Sequence, residues 1–329
     1  MSNKNLIKNR KFRIGHTINT SYGFRTCAEY AEKIGEDIFQ IFINSPKSFK
    51  TVRNKQDLMY LGKDAEKRNI KILVHGNYMA NFCNPSDSSI YKNACRILIS
   101  ELNDSVLLKS IGVVVHMGKN VKKLELTNDQ AIDNYVKGLN HCLEKSDKNS
   151  ILILETGAGQ GTEICTDLID LGKLRDKIDI KFRHRVKYCI DTCHIYSAGY
   201  NLGDPKYVQF LDTHIENNLG WEHIEVVHFN DSKCPLNCRK DRHADIGKGY
   251  IEFEGLMEFA KLCKKRDVPI VLETPSDNYD DIRYHYTDQI KNIKQYLDKG
   301  EIGKDIINSS SGLEKKLNKN LGKVKNEKN

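Results

Sequence analysis

Short apolar, β-branched runs recur along the chain, separated by polar stretches long enough to hold a helix. Eight stand out: FRIGH (Phe12 to His16), DIFQIFI (Asp37 to Ile43), IKILVH (Ile70 to His75), IGVVVH (Ile111 to His116), ILILE (Ile151 to Glu155), VKYCID (Val186 to Asp191), IEVVHF (Ile224 to Phe229) and VPIVLE (Val268 to Glu273). Such alternation is the mark of βα units and a parallel sheet, and eight units close a (β/α)8 TIM barrel. The strand count favours the barrel over a doubly wound open sheet, as does the absence of a Gly-x-Gly-x-x-Gly turn after the first run. The pattern predicts a single barrel domain over residues 12–300, closed by a helix from Tyr284 to Lys299. A basic extension at 1–11 precedes it. After it comes a Lys, Asn and Ser tail at 301–329, whose composition predicts disorder.

Composition narrows the class. The 329 residues have a mean hydropathy of -0.57, and no window approaches the ~18 to 20 unbroken apolar residues of a membrane-spanning helix. The basic start lacks the apolar core of a secretory signal. An intracellular, soluble protein is expected, cytoplasmic with the nucleus left open, and working as a monomer without a membrane partner. Ten scattered cysteines read as reduced thiols rather than a disulfide scaffold. Only Cys234 and Cys238, at C-x3-C spacing, raise a zinc or disulfide question, and no second pair completes four ligands. The formal charge of +8 comes from the two ends. Residues 1–13 carry five basic and no acidic residues, and Lys304 to Asn329 carries seven Lys against three acids. A polyanion partner must therefore be argued from a site, not from net charge.

The strand ends supply one. Of the seven runs after the first, six carry a metal-binding side chain as their last or next-to-last residue: His75, His116, Glu155, Asp191, His228 and Glu273. In a parallel barrel the carboxyl ends of all strands converge on one face, so these six should meet. Any one of them alone reads as a surface or hydrogen-bonded residue. Six crowded together would repel or need pairing, and bound metal resolves both problems. His194 lies three residues after Asp191, in DTCH, and Asp241 and His243 lie in DRHADIGKG. The set of five His, two Asp and two Glu has no thiolate and favours Zn2+, with Mn2+ a possible substitute. Nine ligands suggest about three ions. Cys193, inside DTCH, reads from strand alternation as a packed thiol. Glycines follow Glu155 in LETGAGQG where a substrate could come close, and HFNDS and IGKG are expected to offer loop donors at the mouth. No nucleophile elbow supports covalent acyl chemistry.

These motifs, in this order, resemble the endonuclease IV family of zinc-dependent abasic-site DNA endonucleases. The match comprises H-x-x-Y-x-x-N at His75, Tyr78 and Asn81; H-x-G at His116 and Gly118; and L-E-x-x-A-G-Q-G at Leu154 to Gly161. It continues with D-T-C-H-x-x-x-A-G-Y at Asp191 to Tyr200, H-x-N-D-S at His228 to Ser232, D-R-H-x-x-I-G-x-G at Asp241 to Gly249 and E-T-P at Glu273 to Pro275. Met117 departs from the Pro usual in the family. The resemblance implies a trinuclear zinc barrel that cuts double-stranded DNA 5' to an abasic site, leaving 3'-hydroxyl and 5'-deoxyribose phosphate ends. It implies one ion on His75, His116 and Glu155, a second on Glu155, Asp191, His228 and Glu273, and a third on His194, Asp241 and His243. Glu155, Asp191 and Glu273 would be central to catalysis, the ions lowering the pKa of a shared water and stabilising charge on the phosphate. Lys47, Tyr78 and Met79 stand at positions that in the family probe the minor groove, Lys47 and Met79 being substituted.

A sugar isomerase or epimerase on a similar barrel is the main rival. Nine ligands, no evident Lys or Glu pair for proton shuttling, and the basic termini count against it. A non-catalytic, metal-stabilised DNA-binding protein is disfavoured because structural zinc sites are closed by thiolate and imidazole. The tail makes a prediction of its own. Deleting Lys304 to Asn329 removes a net four positive charges, so affinity for undamaged duplex and its salt slope should fall. Turnover of saturating damaged substrate should hold, and both are read by titrations across a salt series.

Overall fold

The computed structural model describes residues 12–51, 53–275 and 282–300; the basic segment 1–11 and the tail 301–329 lie outside the described residues. Eight parallel strands form the sheet: β1 (Ile14–His16), β2 (Ile38–Phe42), β3 (Lys71–His75), β4 (Val113–Val115), β5 (Leu152–Glu155), β6 (Val186–Asp191), β7 (Ile224–His228) and β10 (Ile270–Leu272). Each falls inside one of the eight apolar runs. The small strands β8 (Asp231–Ser232) and β9 (His243–Ala244) pair antiparallel beside the mouth; at two residues each, they carry no readable alternation. Among the described residues no helix is long and apolar enough to cross a membrane.

The helices α1 (Cys27–Lys33), α2 (Lys55–Lys67), α3 (Ser89–Leu107), α4 (Asn128–Lys145), α5 (Leu168–Lys177), α6 (Thr192–Ala198), α7 (Pro205–Asn218), α8 (Phe253–Arg266) and α9 (Ile282–Lys299) surround the sheet. Their starts follow local chemistry. Thr127 and Gln130 form a reciprocal capping box before α4, and Asp204 caps α7 with Pro205 in its first turn. Asp191 ends β6 and caps α6 in one step, its Oδ1 accepting from the His194 amide at 2.8 Å. DTCH is therefore a strand-to-helix junction. Cys193 is buried, as expected, but a helical face buries it and not strand alternation.

The strand order runs β1, β10, β7, β6, β5, β4, β3, β2, which leaves the seam between β1 and β2. The seam is sewn by Asp37 N to Ile14 O (3.2 Å) and Ile18 N to Gln40 O (2.8 Å). Inside, one residue from each of seven strands makes a compact apolar layer: Ile38, Leu73, Val114, Ile153, Cys189, Val226 and Val271. The corresponding place on β1 is Gly15, paired with Val271. A Cβ there would lie 1.6 Å from the Ile38 carbonyl oxygen, so only glycine lets the two strands approach. Gly15→Ala is expected to cost about 3 kcal/mol, lowering the melting temperature by roughly 6 to 12 °C in calorimetry. An unchanged melting temperature would show that the seam opens freely.

Candidate metal centre and nucleic-acid interface

Side chains on a strand alternate between faces, so the residue two places beyond each inward apolar one also points inward. Stepping two places from the apolar layer gives Gln40, His75, His116, Glu155, Asp191, His228 and Glu273, with Thr17 on β1. Six of these eight are the predicted ligands. The floor is apolar and the layer above it is almost wholly polar.

The nine predicted ligands come together in three groups: His75 with His116 and Glu155; Glu155 with Asp191, His228 and Glu273; and His194 with Asp241 and His243. Within each group the candidate donor atoms lie within 4.8 Å of one another. His75 Nε2 and His116 Nε2 each stand 3.6 Å from Glu155 Oε2. His194 Nε2 and His243 Nε2 each stand 3.2 Å from Asp241 Oδ1. A gap of 3.6 Å is too long for a hydrogen bond but suits two donors sharing a zinc ion, which sit about 3.3 Å apart in tetrahedral geometry.

Outer contacts fix which ring nitrogen faces inward. His75 Nδ1 donates to the Gly76 carbonyl (2.8 Å), His194 Nδ1 to that of Thr156 (2.8 Å) and His243 Nδ1 to that of Glu273 (3.1 Å). The Nε2 atoms of all three are left buried with no hydrogen-bond partner, and so is Glu155 Oε2. Buried polar atoms are rarely left so, and a ring held by its outer N–H with a free inner nitrogen is the usual arrangement of a metal-bound histidine. His228 is turned the other way. Its Nε2 donates to Gln40 Oε1 (2.9 Å), while Nδ1 faces Glu155 at 2.7 Å and Glu273 at 3.1 Å. The residues present therefore fit divalent cations.

Charge balance agrees. Burial pushes the Glu155 carboxyl up, but His116, His228 and His75 outweigh it and hold it well below the usual range. Burial lowers His116 to about 4, keeping it a neutral donor. Burial also disfavours charge on His194 and His243, yet Asp191 and Asp241 prevail, raising His194 well above its ordinary value and His243 to about 9. The carboxylates thus draw protons onto these rings where a cation could take their place.

Several supporting residues carried no role in the sequence. Gln40 donates through Nε2 to Glu273 Oε1 (2.6 Å) and Thr17 Oγ1 (2.9 Å) while accepting from His228. Its signal was a glutamine within an apolar strand. Asn230 holds Asp191 Oδ2 at 2.7 Å. Asp231 accepts the amides of Gly247 (3.1 Å), Gly249 (2.8 Å) and Ile251 (3.0 Å), so the IGKG donors are bound internally and not offered to the mouth. A Cβ on Gly249 would lie 2.2 Å from Asp231 Oδ1.

The mouth opens into a cleft of about 650 Å3 lined by Tyr78, His116, Lys119, Gln160, Lys233 and Arg242, among others. Tyr78 and Met79 are 47% and 45% exposed, standing at the rim and not in the core. The Tyr78 ring meets Phe42, His75 and His116 edge-on, with centroids 5.2, 5.0 and 5.3 Å away. Burial and the nearby carboxylates raise its phenol, leaving it a protonated donor. Lys47 is exposed on the adjoining loop after β2. The two loops are laced together: Tyr78 N donates to Pro46 O (3.0 Å) and the Asn77 side chain, through Nδ2, to Ser45 O (2.9 Å) and Ser48 O (2.7 Å). Below them the buried Glu101 of α3 accepts from the Asn44 side chain (3.1 Å) and the Asn77 amide (3.3 Å). Arg53 adds Asn44 (3.0 Å) and an ion pair with Asp104.

The sequence matches the family model described as xylose isomerase-like TIM barrel over residues 28–299. It is 37% identical over 298 residues to the putative endonuclease 4 of Acanthamoeba polyphaga mimivirus, covering 89% of this chain and 96% of that protein. The probable endonuclease 4 of Mycoplasma genitalium is 35% identical over 280 residues, covering 83% and 92%. Among solved structures, endonuclease IV from Thermus thermophilus matches with a TM-score of 0.72 at 24% identity, covering 87% of this chain and 99% of that one, a likeness of fold. Overlap of this extent with the curated relatives, on a barrel whose mouth gathers all nine ligand candidates, makes the chain a member of the endonuclease IV family within the xylose isomerase-like TIM barrels.

Proposed function

We propose that this hydrolase cuts double-stranded DNA on the 5' side of an abasic site with three zinc ions, leaving a 3'-hydroxyl and a 5'-deoxyribose phosphate. The observation that carries the reading is the set of buried, partnerless nitrogens on His75, His194 and His243 facing a carboxylate-rich mouth. His75, His116 and Glu155 would hold one ion, Glu155, Asp191, His228 and Glu273 the second, and His194, Asp241 and His243 the third. When bound, such ions supply a nucleophile from water near neutral pH and stabilise charge on the phosphate and the leaving oxygen.

The chain's own residues do the rest. Glu155 sits between two ligand groups, so its two oxygens fix the spacing of the paired sites. Gln40 keeps His228 and Glu273 in register by bonding both. Lys119, Lys233 and Arg242 line the cleft where they can grip backbone phosphates without reading sequence. Tyr78 and Met79 stand beside them as a wedge. Unstacking costs a few kcal/mol and is least where a base is already missing, so the wedge selects the lesion by its weakness. A sugar isomerase on this barrel would leave the ninefold ligand set and the cationic rim unused.

The direct test is metal analysis together with a gel assay on an oligonucleotide carrying one tetrahydrofuran lesion. Incision by the zinc-loaded protein with a 3'-hydroxyl product is expected; full loading without incision overturns the reading. Glu155→Gln keeps volume but removes a charge shared by two ligand groups. Zinc content should fall, and single-turnover incision should drop at least about a hundredfold, or roughly 3 kcal/mol. Near wild-type rates with full zinc would remove Glu155 from its role. Replacing Tyr78 and Met79 together with Ala should preserve zinc content and melting temperature and raise KM for lesion DNA. A variant that melts several degrees lower at unchanged affinity would make the pair structural.

A further inference from the structure

Eight of the ten cysteines are buried; Cys234 and Cys238 are half-exposed. Both lie on the loop joining β8 to β9, whose base is closed by Lys233 N donating to Arg242 O at 2.8 Å. A turn, Cys238 N to Pro235 O at 3.2 Å, folds the second cysteine back toward the first. Lys233, Arg239, Lys240 and Arg242 lie beside the pair along the chain; burial and the Cys238 thiol raise Cys234 above its ordinary value, and Lys240 and Arg242 offset part of that rise. Two left-handed residues flank Cys238, Asn237 at φ 61 and Arg239 at φ 56. The surroundings therefore join exposure, proximity and positive charge.

The loop is also wired to the metal centre. Cys238 Sγ contacts Ser197 Oγ at 3.4 Å, and the same hydroxyl donates to the Lys240 carbonyl at 2.8 Å. Asn237 N and Arg239 N donate to Tyr196 O (3.1 Å) and Ser197 O (3.0 Å) of α6, the helix that carries His194. The residues after Lys240 are Asp241, in the third ligand group, and Arg242, in the cleft.

We propose that Cys234 and Cys238 are an oxidative modification site, a dithiol that closes to an intraloop disulfide and loosens the grip of the mouth on DNA. With a peroxide as oxidant, one thiolate attacks a peroxide oxygen, giving a sulfenic acid and one water. The second sulfur then attacks the sulfenic sulfur, forming the S–S bond and expelling a second water. Two thiols lose two electrons and two protons, and the peroxide is reduced to water. Drawing the Cys238 sulfur toward Cys234 takes it from Ser197, and the shared hydroxyl passes the shift to Lys240, Asp241 and Arg242. This consequence rests on the reading of the mouth as a DNA site; the bond itself does not.

The test treats the full, zinc-loaded chain with hydrogen peroxide and reads both mass and kinetics. Trypsin cuts after Lys233 and Arg239, so both sulfurs lie on one peptide, residues 234–239. That peptide should lose the mass of two hydrogen atoms, regained with dithiothreitol. KM for lesion DNA should rise several-fold on oxidation and recover on reduction, with kcat and melting temperature little changed. Cys238→Ser should match the reduced wild type in KM and not respond to peroxide. An unmodified peptide, or sulfurs oxidised separately or cross-linked between chains, overturns the dithiol. A disulfide with unchanged KM overturns its effect on grip. If neither form incises the lesion, the reading of the mouth fails, while peptide mass still decides the bond.

Discussion

The structure turns on the two-residue alternation of eight short strands at one end of a barrel. One inward layer, from Ile38 to Val271, is apolar; the next, from Gln40 to Glu273, carries the charge. A slip of one residue in any strand would swing its mouth-facing polar side chain out among the helices. Register is therefore a condition of chemistry as well as of packing. Burying four carboxylates and five imidazoles in one place is costly unless each is paired, and the outward hydrogen bonds of the histidines meet only half of that need. The inward nitrogens remain for something that carries positive charge.

Around this centre the chain spends its polar residues on orientation. Gln40 bridges His228 and Glu273 across the barrel, and Glu101 reaches up from α3 to tie the loops that bear Lys47 and Tyr78. A buried carboxylate beneath two loops gives them a common anchor. Asp231 does the same for the glycine loop on the opposite side. Six of the ligand candidates are held at the barrel strands' ends, while the rim loops depend on such anchors.

Much of this was legible in the sequence. The eight runs and the ionisable residues at their ends are local patterns, and all eight strands fall where the runs predict. His16 shows the limit of that rule, since it too ends a strand. Its ring instead pairs with buried Glu36 and stacks on Tyr286 at 3.9 Å, away from the cluster. What distinguishes it is face, outward by one residue from Gly15 and Thr17. Glu101 could not be found at all, because its partners lie 57 and 24 residues away and a glutamate in a helix carries no local mark of burial. The hairpin of β8 and β9 was hidden for a similar reason, two-residue strands being shorter than any alternation.

The apolar layer beneath the ligands has one more consequence. It stoppers the barrel from wall to wall, so the mouth is a cul-de-sac with a single entrance. A polymer cannot thread through such a site; it must lie across the opening and lower one link into it. Both cut ends must then back out by the way they came, past the same rim that admitted them.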